Sequence, residues 1–227
     1  AFFQTALYSG TGSTQSITND GNSDLQPDLV WWKRRNAAYS GGLSDSSRGT
    51  NKYLRVDLTS AEGTITNYIT SFDSDGYTIA SGDQSSNNSA GTYAAWQWKV
   101  NGGTTSSNTE GNVTNTLQVN QDAGFSISKF TSIISGNTTI GHGLGVAPAC
   151  FITKLASGAS GWWVNHKGLT NQSDKYLGLN VTQGEGTVSW GAAPTSTLIT
   201  MAPAFIGNGT TTVMCYAFAE KQGYSKF

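Results

Sequence analysis

Apolar and polar residues alternate over short stretches along most of this chain, and clusters of Gly, Asn, Ser and Asp separate the stretches. Alternation sends every second side chain of an extended segment to the same face, so it predicts β-strands that bury one face. In Tyr53-Leu54-Arg55-Val56-Asp57-Leu58, the aliphatic residues share one face, and Tyr53, Arg55 and Asp57 share the other. In residues 92–98, Trp96 and Trp98 fall on one face. Residues 71–79 read as strand, Asp75-Gly76 turn, strand. Many short strands between turn signals predict an all-β protein, an antiparallel β-sandwich of the jelly-roll or concanavalin-like kind. Helical signal is thin: Thr59-Ser60-Ala61-Glu62 has capping-box form, but Gly63 follows at once, so at most one turn is expected there.

The pattern then recurs. Lys52, Tyr53, Leu54, Glu62 and Gly63 correspond to Lys175, Tyr176, Leu177, Glu185 and Gly186, an offset of 123 residues (52 to 175). The run from Pro27 to Lys33 corresponds to that from Pro148 to Lys154, an offset of 121 (27 to 148). Trp96 and Trp98 correspond to Tyr216 and Phe218, an offset of 120 (96 to 216). Three ordered matches at nearly one offset predict two homologous halves, residues 1–124 and 125–227, joined by a segment at 101–122 that carries one strand near 113–119. Their similar aromatic faces predict that the halves pack face to face as one compact unit.

Composition narrows the function. Only 12% of residues are charged, and 13 Lys and Arg nearly balance 14 Asp and Glu. No basic field draws nucleic acid or an anionic membrane, and Lys33-Arg34-Arg35 reads as a solvated strand end. No apolar run approaches the roughly 20 residues that span a bilayer, so no membrane insertion is expected. Residues 1–8 lack a basic segment and a long apolar stretch, so the standard secretion route is not expected either. Cys150 and Cys215 both sit in apolar strand-like runs. They read either as two buried thiols or as a disulfide between neighbouring strands.

Several segments carry a family resemblance. They include Tyr8-Ser9-Gly10-Thr11-Gly12-Ser13, Pro27 to Lys33, Asp45-Ser46-Ser47-Arg48-Gly49, Phe72 to Tyr77 and Tyr93 to Lys99. In the second half they include Gly124-Phe125-Ser126-Ile127, Ile140 to Pro148, Tyr216 to Glu220 and Gly223 to Phe227. Over nearly the whole length these resemble the repeated β-rich domain of marine bacteriophage tail-fibre and virion structural proteins. The resemblance implies a lectin-like sandwich on the virion surface and supplies no catalytic residues. It further implies a tail-fibre-type or receptor-binding adhesion module that binds host surface glycan. The alternative is a non-receptor structural protein of capsid or tail, and a polysaccharide-degrading enzyme is the weakest reading. Partners would be other virion proteins and further copies of the chain, as a homo-oligomer such as a trimer.

Catalytic patterns are sparse, and no enzyme is expected. There is no Gly-x-Ser-x-Gly elbow, and no Glu has an Asp two residues on, as sandwich glucanases arrange their acids. Glu62 and Glu185 are repeat-equivalent and read as one duplicated turn. Asp73-Ser74-Asp75-Gly76 resembles part of a calcium loop, but Gln84 stands where the bidentate Glu belongs, so a plain turn is preferred and no metal or cofactor is expected. His142, between glycines, reads as structural. Binding is left. Neighbouring residues of a strand face opposite ways, so one Trp of Trp31-Trp32 and one of Trp162-Trp163 should face outward. Trp32, Tyr39, Trp163 and His166 are the candidate carbohydrate-binding residues, with aromatic faces to stack on sugar rings.

Overall fold

A computed structural model describes all of residues 1–227. The chain divides into two units, Ala1–Leu58 with Glu62–Gly103, and Thr59–Ala61 with Thr104–Phe227.

The first unit comprises β1 (Phe3–Ser9), β2 (Gln15–Thr18), β3 (Leu29–Arg34), β4 (Gly42–Asp45), β5 (Lys52–Arg55), β6 (Gly63–Thr64), β7 (Ile69–Asp73), β8 (Gly76–Ile79) and β9 (Thr92–Trp98). A six-stranded antiparallel sheet runs β1-β9-β3-β4-β5-β6, and a three-stranded sheet runs β2-β8-β7. Residues opposite each other in register share a face. Ala6 therefore lies beside Ala95, and Ala95 beside Trp32. These side chains form one core with Ile17, Ile69, Tyr77 and Ile79 of the small sheet and with Tyr68. The Trp32 ring needs the bare backbone of Gly42, where a Cβ would lie 2.1 Å from it. Buried Asp28 ties the start of β3 to the loop after β9: its carboxylate accepts from the backbone N–H of Val100 (2.6 Å), Gly102 (3.0 Å) and Gly103 (2.7 Å).

The second unit comprises β10 (Ser106–Asn108), β11 (Asn115–Asn120), β12 (Phe125–Thr131), β13 (Thr138–Gly141), β14 (Cys150–Leu155), β15 (Trp163–His166), β16 (Lys175–Gly178), β17 (Gly186–Thr187), β18 (Leu198–Met201), α1 (Pro203–Ile206) and β19 (Thr212–Phe218). Its large sheet runs β10-β11-β12-β19-β14-β15-β16-β17, and β13 pairs with β18. From β12 to β17 the order is that of the first unit's large sheet, with two strands added at the β12 edge. Small details recur as well. Lys52 Nζ donates to Thr64 Oγ1 at 2.8 Å, and Lys175 Nζ to Thr187 Oγ1 at 2.7 Å. The second core joins Phe130, Phe151, Val213, Cys215 and Ala217 to Ile140, Ile199, Met201, Trp190 and Phe205.

The all-β antiparallel class is as expected, and two finer expectations change. The units divide at residue 103/104 and not at 124/125, because β10 and β11 join the second unit's sheet and bury Asn115 and Leu117 there. Each large sheet has a smaller sheet of its own over its core face. The matched rows Trp96/Trp98 and Tyr216/Phe218 lie on the opposite faces, since Tyr93, Ala95 and Gln97, and Val213, Cys215 and Ala217, point to the cores. The helical turn occurs at Pro203–Ile206, and residues 59–62 form none. Cys150 and Cys215 are free and buried. Cys150 stands opposite Phe218 and Cys215 opposite Thr153, three register steps apart, so their side chains leave β14 and β19 on opposite faces. No helix is long and apolar enough to cross a membrane.

Burial penalises the charged form of two titratable groups. His142 is fully buried; its Nδ1 accepts from Leu144 N–H (3.2 Å) and its Nε2 donates to the Thr195 carbonyl (3.2 Å). Burial lowers its pKa below the ordinary 6.5. The unfolded chain therefore binds this proton first, and stability falls as pH drops below about 6.5. Thermal denaturation should show this decline, and His142→Gln should flatten it. Lys154, also fully buried, donates only to the carbonyls of Thr59 (3.3 Å) and Leu155 (3.0 Å), and burial lowers its pKa to about 8 from 10.5. Below about pH 8 the cost of charging it is fully present, and it fades toward 10.5. Lys154→Met should therefore raise stability at neutral pH by on the order of 2 kcal/mol, measured by denaturant titration, with the gain vanishing in alkali.

Candidate functional site

A groove of about 440 Å³ opens beside β5 in the first unit, lined by Tyr39, Ser40, Arg55, Leu58, Asp83 and Gln84, with Ser85 below. Its floor is a closed polar cluster. The Arg55 guanidinium lies over the rings of Tyr53 (4.9 Å) and Tyr68 (5.3 Å), as a cation over π-faces. It donates to Asp83 Oδ2 (3.2 Å), to Ser85 Oγ (2.5 Å) and to the Tyr68 hydroxyl. Tyr68 donates in turn to Asp83 Oδ2 (2.5 Å), and Ser85 donates to Asp83 Oδ1 through both its N–H (2.7 Å) and its hydroxyl (2.6 Å). Burial alone would raise the Asp83 carboxyl. The hydrogen bonds from Ser85 and Tyr68 and the Arg55 charge outweigh it and hold the pKa below the ordinary 3.8. Burial, with the bond to Asp83, pushes the Tyr68 phenol upward.

The loop that carries Asp83 is fastened at several points. Asn87 is fully buried; its amide donates to the carbonyls of Ser13 (2.7 Å) and Ala80 (2.6 Å), and its Oδ1 accepts from Thr11 N–H (3.0 Å) and Gln15 Nε2 (2.7 Å). The buried Arg34 donates to Gln84 Oε1 (2.6 Å) and the Gln84 carbonyl (3.0 Å), and its guanidinium sits 5.0 Å from the Tyr39 ring. Above this fixed floor stand two exposed apolar side chains, Tyr39 (40% exposed) and Leu58 (46%). A groove so held loses little freedom when a ligand enters.

The same place in the second unit is built differently. Tyr176 pairs with Gly186 as Tyr53 pairs with Gly63, but two residues on from Tyr176 stands Gly178, where the first unit has Arg55. Phe205 of α1 packs beside Tyr176 (5.4 Å) and stacks on Trp190 (3.8 Å, 13° between planes). Aromatic rings fill what is polar and open in the first unit.

The structure does not gather the four candidate residues. Trp32 is corrected: it is 1% exposed, part of the core, and cannot stack on a ligand. The outward member of that pair is Trp31, half-buried, with its ring 6.2 Å from Trp96. Trp163 is half-buried, held edge-on against Tyr176 (5.2 Å) and Phe205 (5.8 Å), with Nε1 donating to Ser160 Oγ (3.2 Å). His166 accepts at Nδ1 from Gly168 N–H (2.9 Å), and its ring lies 6.2 Å from Phe227. Trp163 and His166 stand three apart on β15 and so face opposite ways. Only Tyr39 lies in the groove. Arg55, Asp83, Gln84 and Ser85 were not singled out from the sequence as site residues, and Arg34, expected at a solvated strand end, is buried. Their one signal was that Arg55 lacks a charged counterpart in the otherwise matched run at Lys175.

Other carboxylates serve turns. Glu62 pairs with Arg48 (3.2 Å) and Lys52 (3.2 Å), and Glu185 accepts from Thr170 N–H (3.1 Å) and hydroxyl (2.7 Å). Asp73 accepts from Thr78 Oγ1 (2.8 Å) within the β7–β8 hairpin, and Asp75 at its turn accepts from Leu25 N–H (3.1 Å), which ties the hairpin to the segment before β3. No group of three or more His, Cys, Asp or Glu side chains is placed to hold a metal ion.

All of residues 1–227 match the model of a family described as a domain of unknown function, DUF7483. The chain belongs to that family. No curated protein and no solved structure matches it. What this DUF7483 domain does must therefore be argued from its own side chains.

Because Asp83 is charged above its lowered pKa, its contribution to stability is present above about pH 4 and is lost on further acidification. Asp83→Asn should lower the melting temperature at neutral pH, and the difference should shrink as pH falls below about 4.

Proposed function

We propose that the chain is a non-catalytic glycan-binding module of a bacteriophage virion surface, with the groove beside β5 as its binding site. The observation that carries this is the contrast between the two units. The same scaffold position closes with stacked aromatic rings in the second unit, so the fold has no need of an arginine, a tyrosine hydroxyl and a carboxylate there. An ion pair with one partner 43% exposed, as Asp83 is beside Arg55, adds little to stability, so the fold gains little from it. An exposed tyrosine ring beside fixed amide, hydroxyl and carboxylate groups suits a sugar, which offers an apolar face and a rim of hydroxyls. The groove holds a single carboxylate, Asp83, where hydrolysis of a glycosidic bond uses two; it is suited to binding and not to cleavage.

The virion setting rests on the resemblance of Pro27 to Lys33, Tyr93 to Lys99 and Gly124 to Ile127 to phage tail-fibre and virion domains. Oligomer formation, as a trimer, and contact with other virion proteins belong to the same proposal. The reading as a non-receptor structural protein of capsid or tail draws on the scarcity of charge, 12% of residues, which lets identical subunits pack closely.

An array of bacterial surface polysaccharides should retain the protein. Tyr39→Ala should weaken binding about 3- to 10-fold without changing the melting temperature, in keeping with the loss of one stacking contact. Absence of binding across the array, or binding indifferent to Tyr39→Ala, would remove the groove as a glycan site.

A further inference from the structure

The sandwich of the first unit is open along one side. β1 is the outer strand of the large sheet and β2 the outer strand of its cover. Between them lies a cavity of about 240 Å³, lined by residues 6–9 and 15–18, with Asp20 at one end. Proteins normally blunt such an edge with charge, proline or a bulge. Neither β1 nor β2 carries a charged residue or a proline, and the β1–β9 register is unbroken over seven positions. Leu7 on β1 is 69% exposed.

In the second unit the corresponding side is filled. There β12 stands where β1 does and β13 where β2 does, by offsets of 122 (3 to 125) and 123 (15 to 138). β11 pairs with β12 over five positions. The residues just before it fasten to β13: Asn112 N–H donates to Thr139 Oγ1 (2.8 Å), Val113 N–H to the Thr139 carbonyl (3.3 Å), and Thr139 N–H to Asn112 Oδ1 (2.7 Å). The buried Asn115 amide reaches both walls, donating to Ser128 Oγ on β12 (3.1 Å) and the Gly141 carbonyl on β13 (3.0 Å). Leu117 is buried, and Val113 and Val119 pack against the core. Residues 111–120, all uncharged, thus seal the gap between the two sheet edges.

We propose that the open side of the first unit accepts an extended, uncharged segment of a partner polypeptide. The segment adds to β1 as β11 adds to β12, and hooks β2 as Asn112 and Asn115 hook β13. Strand addition supplies backbone hydrogen bonds along β1, and alternate small apolar side chains enter the cavity as Leu117 and Val119 do. The chemistry of the partner is uncharged throughout, with asparagine at the turn and aliphatic residues two apart. The groove at Tyr39 plays no part, so this site stands or falls apart from the glycan reading.

The test uses the intact chain and a synthetic peptide of residues 111–121, read by hydrogen exchange with mass spectrometry. At about 1 mM peptide, exchange of the amides in residues 3–9 and 15–18 should slow by about tenfold. A peptide with N-methyl groups at alternate positions of 115–120, or with Leu117→Asp and Val119→Asp, should leave exchange unchanged. Because the changes lie in the peptide, the fold of the protein is untouched. The proposal is overturned by the absence of protection on β1 and β2, by protection confined to β12, or by equal protection from the N-methylated peptide. It is overturned equally if β1 becomes protected with rising protein concentration alone, which assigns the edge to a second copy of the chain.

Discussion

A wide antiparallel sheet covered by a narrow one is the constraint from which the rest of this structure follows. Six strands lie under three in the first unit, and eight lie over a two-stranded pair in the second. The middle of each large sheet is sealed by direct contact between sheets. Its flanks extend beyond the cover, and a half-covered flank must be filled by loops, rings or something from outside. The groove beside β5 and the opening between β1 and β2 are the two flanks of the first unit.

The two units answer this constraint in different chemistry. Beside Tyr176 the second unit uses rings, with Phe205 carried in on a single helical turn. Beside Tyr53 the first uses a charge-centred cluster in which Arg55, Tyr68 and Ser85 converge on the Asp83 carboxylate. Rings make a lid that seals itself. The Arg55 cluster makes a polar floor, and it leaves room above for Tyr39 and Leu58 to stay exposed.

Much of the fold was legible in the sequence. Alternation located the strands around Tyr53, Trp96 and Tyr77, and the matches at Lys52/Lys175 and Trp96/Tyr216 fall on strands in equivalent places of the two large sheets. Alternation distinguishes two faces but does not say which is the core, and here that decided the outcome. On β3, Val30 and Trp32 face the core, yet Leu29 is also buried, so Trp31 and Trp32 could not be told apart in advance. The groove was legible only at Tyr39. Arg55 meets Asp83 across 28 residues of sequence and Arg34 meets Gln84 across 50, through a loop pinned by Asn87, and no local pattern announces such a meeting. The strand expected near 113–119 is present as β11 (Asn115–Asn120), but a Gly- and Asn-rich run still looks like a linker until its partner strand, β12, is known.

The buried Asn87 shows how this molecule copes with having so few charges. Its four partners are carbonyls and amides, and Asn115 does the same work with a hydroxyl and a carbonyl. Mobile ions screen net charge over about 10 Å at moderate salt, but they have little purchase on neutral dipoles in direct contact inside a protein. Cross-ties of this kind are insensitive to ionic strength, so salt acts on this molecule through its few ion pairs, such as that of Arg55 with Asp83.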